Sequence, residues 1–435
     1  MAELPVRTRW WQSLGPGLVT GAADDDPSGI ATYTQAGAQF GYGLLWTLTL
    51  AWPLMMALQL ASARLGWVSG RGIATSLRRH YPQPLVLGLV GLLAIANVFN
   101  IGADLAAMVE VARLLTGVGA PLLWLLAIAG LSLLLEILVP FARYAPVLKL
   151  LTLSLLSYAA VLTVVQVPWS AVVHGAFASP MAGSTGLQPG WNANTALMVC
   201  AVLGTTISPY LFFWQASHEA EDIAHHRHPT QLTAEEARRA WAGIRLDTFF
   251  GMTFSVGVAA SVMIAAAATL YGHGGHPVAT AGEAALALRP VAGDAAFLLF
   301  ALGILGAGLL AVPVLAGSAA YALAEALHWR ASLELRAGSA PGFYSLLAGA
   351  VIIGALLQLL DTDPLRMLFW AAVINGLVSA PVMVALLLLV ARRDVMGSLT
   401  LPRPTRWLGW TAVAVMTVVA LTLIITTLPA SLGGR

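Results

Sequence analysis

Ala22-Ala23-Asp24-Asp25-Asp26-Pro27-Ser28-Gly29 sets three carboxylates, a proline and a glycine inside an apolar segment running from about residue 14 to residue 40. A bilayer-spanning helix needs about 20 mostly apolar residues. An aspartate at its centre costs at least about 2.5 kcal/mol on insertion scales. Three in succession imply that the protein uses at least one of them. Pro27 has no amide hydrogen for the helix ladder, and Gly29 tolerates unusual backbone angles. The stretch therefore predicts a helix broken at mid-membrane, with freed carbonyls and a carboxylate facing a cavity. A bilayer protein builds a cation site in this way.

The rest of the chain supplies the membrane. Of 435 residues, 58% are hydrophobic and only 10% charged, with a mean hydropathy of +0.80. Soluble domains carry about 25% charge, so the expected class is an all-α polytopic membrane protein. The net charge of +2 is spread over short loops and gives no sign of a nucleic-acid partner. The single cysteine, Cys200, excludes an internal disulfide and a CxxC metal cluster. The first apolar segment is interrupted and lacks a small-residue cleavage site, so it is expected to be retained as a span.

Eleven spans are predicted, near residues 14–41, 44–67, 84–115, 121–140, 147–167, 193–217, 246–271, 293–326, 342–360, 366–390 and 406–428. Residues 168–192 are expected to form a loop. Arg7 and Arg9 precede the first span, and every even-numbered loop is basic: Arg71, Arg78 and Arg79; Arg143 and Lys149; Arg227, Arg238 and Arg239; Arg330 and Arg336; Arg392, Arg393 and Arg403. Arg113, Arg289 and Arg366 are the exceptions. By the positive-inside rule the N-terminus is expected in the cytoplasm and the C-terminus outside. The short termini, without targeting signals, suit a bacterial inner membrane. A monomer is expected.

A second interruption, Gly204-Thr205-Thr206-Ile207-Ser208-Pro209-Tyr210, lies in the sixth span. It falls five spans after the first, an odd shift, so the two broken helices run in opposite directions. Paired interruptions of this kind point to an inverted-repeat transporter with its site at the repeat interface. The repeats would be 14–167 and 193–390, with 406–428 as an additional helix in a single transport domain. No nucleotide-binding loop, HExxH or nucleophile constellation is present, so neither an enzyme nor a bound cofactor is expected.

Leu14-Gly15-Pro16-Gly17-Leu18 ahead of Asp26-Pro27, followed by Gly41-Tyr42, resembles the first span of the NRAMP divalent-metal transporters. Gly204 to Pro209 resembles their sixth span, and Ala96-Asn97 with Ala103-Asp104-Leu105-Ala106 resembles their third. The resemblance implies the broken-helix, inverted-repeat fold and a transported divalent cation. It also implies a ligand set. Asp26 matches the family's aspartate, and Ala23 and Thr205 match its two carbonyl donors. Gly29 stands where the family has an asparagine ligand, Ser208 where it has a methionine, Tyr210 where it has a proton-linked histidine, and Ala107 where it has a glutamate. Asp104 is kept, as a pathway residue.

These departures exchange a soft thioether for hard oxygen donors and remove two side-chain ligands. A hard, sparse site suits Mg²⁺ or Mn²⁺, and Mg²⁺ usually keeps several waters. The pattern is similar to the NRAMP-related magnesium transporters. Losing the histidine and the glutamate predicts weak or absent proton coupling. A divalent ion entering under an inside-negative potential gains roughly 4.6 kcal/mol per 100 mV, twice the single-charge figure.

Each residue also has an ordinary reading. Asp26 can cap the second half-helix, and Asp24 and Asp25 can be solvated or water-linked to the ion. Thr205 and Ser208 can bond carbonyls freed by the break. Asp104 can be paired structurally, and Tyr210 can simply pack. Asn375, in the interrupted tenth span, is a further candidate. Glu110, Glu136 and Glu325 are expected near span ends. His218, His225, His226 and His228 beside Glu219, Glu221 and Asp222 fit no defined ligand spacing and read as a solvated connector, as do His273 and His276. Two other functions remain open: a proton-coupled Mn²⁺ or Fe²⁺ transporter, with Asp24 or Asp25 replacing lost ligands, and a transporter of a small organic cation or amino acid.

Overall fold

A computed structural model describes residues 16–139, 156–177, 193–224, 231–271, 281–360 and 364–432. The expected basic residues Arg143 and Lys149, and His225, His226, His228, His273 and His276, lie outside the described residues. Within them every regular element is helical.

The first span is two half-helices, α1 (Pro16–Asp24) and α2 (Pro27–Phe40). Pro27 occupies the first turn of α2, where a missing amide hydrogen is harmless. Then come α3 (Leu45–Ser69), the short α4 (Ile73–Arg78), α5 (Gln83–Thr116) and α6 (Pro121–Leu138). Gly70 and Gly117 end α3 and α5 in the left-handed conformation, at φ 60° and 68°. Of the fifth span, α7 (Leu156–Val164) is described.

The expected loop after it contains a helix, α8 (Trp169–Phe177). Gly175 lets α8 lie directly on the backbone carbonyl of Tyr42, in the turn after α2. That contact leaves no alternation or charge signal in the sequence.

The sixth span repeats the design of the first, as α9 (Ala193–Thr206) and α10 (Pro209–Ala224), with Pro209 opening the second half. Then come α11 (Ala234–Leu270) and α12 (Ala281–Ala326). They are followed by α13 (Pro341–Leu357), α14 (Pro364–Ala391), α15 (Arg393–Met396) and α16 (Arg403–Leu432).

Two helices start earlier than hydropathy predicts, at Ala234 instead of 246 and at Ala281 instead of 293. Thr233 and Glu236 form a reciprocal capping box, and the Ala-, Glu- and Arg-rich stretch behind it is a good helix former outside the apolar window.

Eight apolar stretches among the described residues are long enough to cross a bilayer, and Pro341–Leu357 is a shorter ninth. The inverted five-plus-five arrangement places the broken sixth span at the centre. Its apolar window is 94% buried inside the protein, against 28% for α6. The sixth span carries Trp214, Tyr210, Phe212 and Phe213, and Tyr33 packs beside it; these are among the largest fully buried side chains. Peripheral α6 and α16 instead expose Leu123, Leu126, Leu138, Trp407 and Ile425, as helices with hydrocarbon for solvent do.

Close helix contacts hold the halves in place. Gly21 on α1 meets the backbone of Gly251 on α11, and Gly37 on α2 meets the Met263 carbonyl of the same helix, so a Cβ at either position would collide. Gly204 on α9 similarly meets α14 at Ala372 and Gly376. Gly376 in turn packs on the fully buried Cys200.

Candidate functional site

The break in the first span is held open by its own aspartate. Asp26 has extended angles (φ −68°, ψ 164°) and caps α2. Its Oδ1 accepts from the Gly29 amide at 2.6 Å and from the Ser28 hydroxyl at 2.8 Å. The Ser28 amide donates the other way, to Asp104 Oδ1 on α5 at 3.1 Å. One serine thus links the two carboxylates expected from the sequence. Asp104 Oδ2 is buried and has no donor.

Gly29 faces the second break. A Cβ there would lie 3.0 Å from Thr205 Oγ1 and 3.2 Å from Asp26 Oδ1. Glycine therefore lets α2 approach α9 at this point, and an asparagine would have to push Thr205 aside. Tyr33, a turn further on, shares a hydrogen bond of 3.0 Å with Thr206.

Asp24 and Asp25 turn away from this contact, toward α11. Ser255 donates to Asp24 Oδ2 at 2.6 Å, and Asp25 Oδ1 lies 3.5 Å from the same hydroxyl. Asp24 Oδ1 and Asp25 Oδ2 are buried without a partner. All four aspartates are at most 2% exposed. None makes an ion pair among the described residues.

The second break is neutral and largely closed on itself. Ser208 donates to the carbonyls of Thr205 at 2.7 Å and Gly204 at 3.2 Å. Ser379 on α14 donates to the Ile207 carbonyl at 2.8 Å and to Asn375 O at 2.7 Å. The Ala23 carbonyl accepts from the Tyr210 hydroxyl at 2.9 Å, so Tyr210 does more than pack. Asn375 sits beside Gly376, which touches Gly204, and its Oδ1 is buried without a donor.

The structure therefore brings Asp26, Gly29 and Thr205 together and joins Asp104 to them through Ser28. It carries Asp24 and Asp25 to α11, turns Ser208 onto its own helix and leaves Asn375 at the rim of the second break. Sequence reasoning missed Ser28, Tyr33, Tyr210 and Ser255. Only the place of Ser28 and Tyr210 next to the two prolines could have signalled them. Of the polar connector, His218 is half-buried against Trp214, with ring centroids 4.2 Å apart, and Gln215 donates to Glu219 at 2.9 Å. No group of three or more His, Cys, Asp or Glu side chains converges as a metal-binding cluster among the described residues.

A family model for Nramp, natural resistance-associated macrophage protein-like, matches residues 17–426. The chain belongs to the Nramp family. This Nramp chain is 28% identical over 406 residues to the divalent metal cation transporter MntH of Klebsiella pneumoniae, covering 93% of this chain and 91% of that protein. It is equally 28% identical over 412 residues to MntH of Yersinia pestis, covering 93% and 92%.

Among solved structures, its fold is similar to a manganese transporter of Eremococcus coleocola, with a TM-score of 0.79 at 20% identity over 100% of this chain and 90% of that one. It is also similar to Mhp1, a nucleobase-cation-symport-1 family transporter, with a TM-score of 0.59 at 14% identity over 96% and 90%. Both structural likenesses are of fold.

Proposed function

We propose that this Nramp chain carries divalent metal cations across a membrane by alternating access, with Mg²⁺ as the preferred cargo, Mn²⁺ tolerated, and weak or no proton coupling. The observation that carries the reading is Asp26, a buried carboxylate at a helix break with no ion pair among the described residues, beside the side-chain oxygens of Ser28 and Thr205. Such a set is hard, and with few side chains it leaves the ion part of its water. Asp26 is the principal ligand. Thr205 and the Ala23 carbonyl line the site at Gly29, and Ser208 and Asn375 border it. Asp24 and Asp25 supply further carboxylate oxygens on the α11 side, and Asp104 lies on the pathway.

The chain works as one domain of two repeats, 14–167 and 193–390, with 406–428 added. It sits as a monomer in a bacterial inner membrane with its N-terminus in the cytoplasm and its C-terminus outside. The membrane potential drives uptake.

A second reading, proton-coupled Mn²⁺ transport, draws its cargo from the Eremococcus coleocola manganese transporter whose fold this chain shares. Purified protein in liposomes under an inside-negative potential separates the two. An ion-sensitive dye follows Mg²⁺ and Mn²⁺, and pyranine follows lumen pH. Mg²⁺ influx with flat pyranine, lost in Asp26→Ala, is the expected result. Mn²⁺ influx with acidification and no Mg²⁺ influx replaces the first reading by the second. Movement of neither ion above empty vesicles ends both.

A further inference from the structure

Far from the helix breaks, the arginine-bearing end of the bundle holds a cavity of about 580 Å³ between the end of α3, α4 and the start of α15. Gly70, in its left-handed turn, reverses the chain so that Arg71 stands over the cavity. Ser76 on α4 and Arg79, three positions on at the helix's C-cap, lie on the same side.

The lining is short of acceptors. Among the described residues the side chains of Arg71 and Arg79, both exposed, have no hydrogen bond or ion pair. Partial burial, and then the Arg79 guanidinium beside it, hold Arg71 below its ordinary range. The one acid in the wall, Asp394, is already engaged. Arg392 donates to it at 2.7 Å and 3.0 Å, and His80 Nε2 lies 3.3 Å away. Ser76 is 2% exposed, and its hydroxyl has no partner. A buried hydroxyl left unmatched costs about 1–3 kcal/mol, and the two guanidiniums that line the same cavity repel one another.

A tetrahedral oxyanion would answer all three. It accepts forked hydrogen bonds from guanidinium groups and a third from a hydroxyl, and its charge cancels theirs. We propose that this cavity binds a phosphate group, with Arg71 and Arg79 as the charged donors and Ser76 as the neutral one. The phosphate can belong to an anionic lipid headgroup, since the apolar α3 gives way here to the basic turn at Gly70 and Arg71, or to a free phosphate in solution. The site is separate from the ion pathway and does not depend on what the protein transports.

The test uses the full chain purified in detergent, with the double variant Arg71→Gln/Arg79→Gln. Arg238→Gln, an exposed arginine of α11 at the same end, is the control. Retention of phosphatidylglycerol against phosphatidylcholine is read by native mass spectrometry, and inorganic phosphate binding by titration calorimetry. Gel filtration checks that each variant is folded.

Binding of one probe by the wild type and the control, weakened roughly tenfold or more in the double variant, is expected, about 1.4 kcal/mol or more. Phosphatidylglycerol retained over phosphatidylcholine identifies a lipid as the source, and phosphate bound without that preference identifies the free ion. Ser76→Ala, which keeps both arginines, is expected to weaken the same probe by a smaller factor. Failure of both probes to bind, or equal binding by wild type and double variant, overturns the proposal.

Discussion

The two broken helices have the same plan and opposite electrostatics. In each, an apolar half-helix stops and a proline opens the next half. In the first the gap is filled by carboxylates whose donors come partly from other helices: Ser255 on α11 for Asp24, and the Ser28 amide for Asp104 on α5. Three of those carboxylates still keep an oxygen without a donor. In the second the gap is uncharged, and Ser208 and Ser379 return hydroxyls to the freed carbonyls. Both breaks solve the backbone problem that hydrocarbon poses. Only the first leaves carboxylate oxygens without a donor among the described residues. Charge sits at one break, and the other break faces it with uncharged side chains.

The contrast can be broken most severely at Gly21. A valine there would drive its side chain into the Gly251 backbone and separate α1 from α11. Overpacking of this kind costs roughly 3 kcal/mol or more. Gly21→Val is expected to abolish the monodisperse peak in gel filtration, while Gly243→Val, in open space, should not shift it.

Next comes transport itself. Asp26→Ala should lower divalent-ion influx at least about thirtyfold, equivalent to roughly 2 kcal/mol, and Ser208→Ala less than about threefold. Equal losses in the two variants would contradict the asymmetry.

Stability gives a finer measure. Ser255→Ala removes a donor from a carboxylate, and Ser379→Ala removes one from carbonyls. Hydrogen bonds to charged groups contribute about 1.5–3 kcal/mol, and neutral ones about 0.5–1.5. Thermal unfolding in detergent should show the larger fall in Tm for Ser255→Ala.

The smallest effect is expected at Tyr210. Tyr210→Phe frees the Ala23 carbonyl, and the apparent ion affinity should rise about two- to fivefold, for roughly 0.5–1 kcal/mol.

The positions of both breaks were legible because prolines and carboxylates in hydrocarbon are costly enough to stand out from any background. The family followed from the same residues. Ser255 was not legible. It lies 230 positions from Asp25 in the sequence, and a lone serine on an apolar helix looks like any other small residue. Tyr210 reads as packing because an aromatic ring is ordinary in a buried span, and its hydroxyl partner is a backbone oxygen that no side-chain pattern marks. The polar start of α11 escaped for the reverse reason. Hydropathy sees only the apolar part of a helix, and the cap at Thr233 lies well before it.

Cys200 is the chain's single thiol, at 0% exposure with Gly376 packed on it. The wild-type protein is consequently a blank for sulfhydryl chemistry. A cysteine introduced as Val118→Cys, in the exposed turn between α5 and α6, or as Gln231→Cys, ahead of α11 at the opposite end, would be the one group that an impermeant maleimide can reach. In intact cells one of these two should label and the other should not, which orients the bundle directly. With both present, a pair of dyes would report any change in the distance between the two ends in real time.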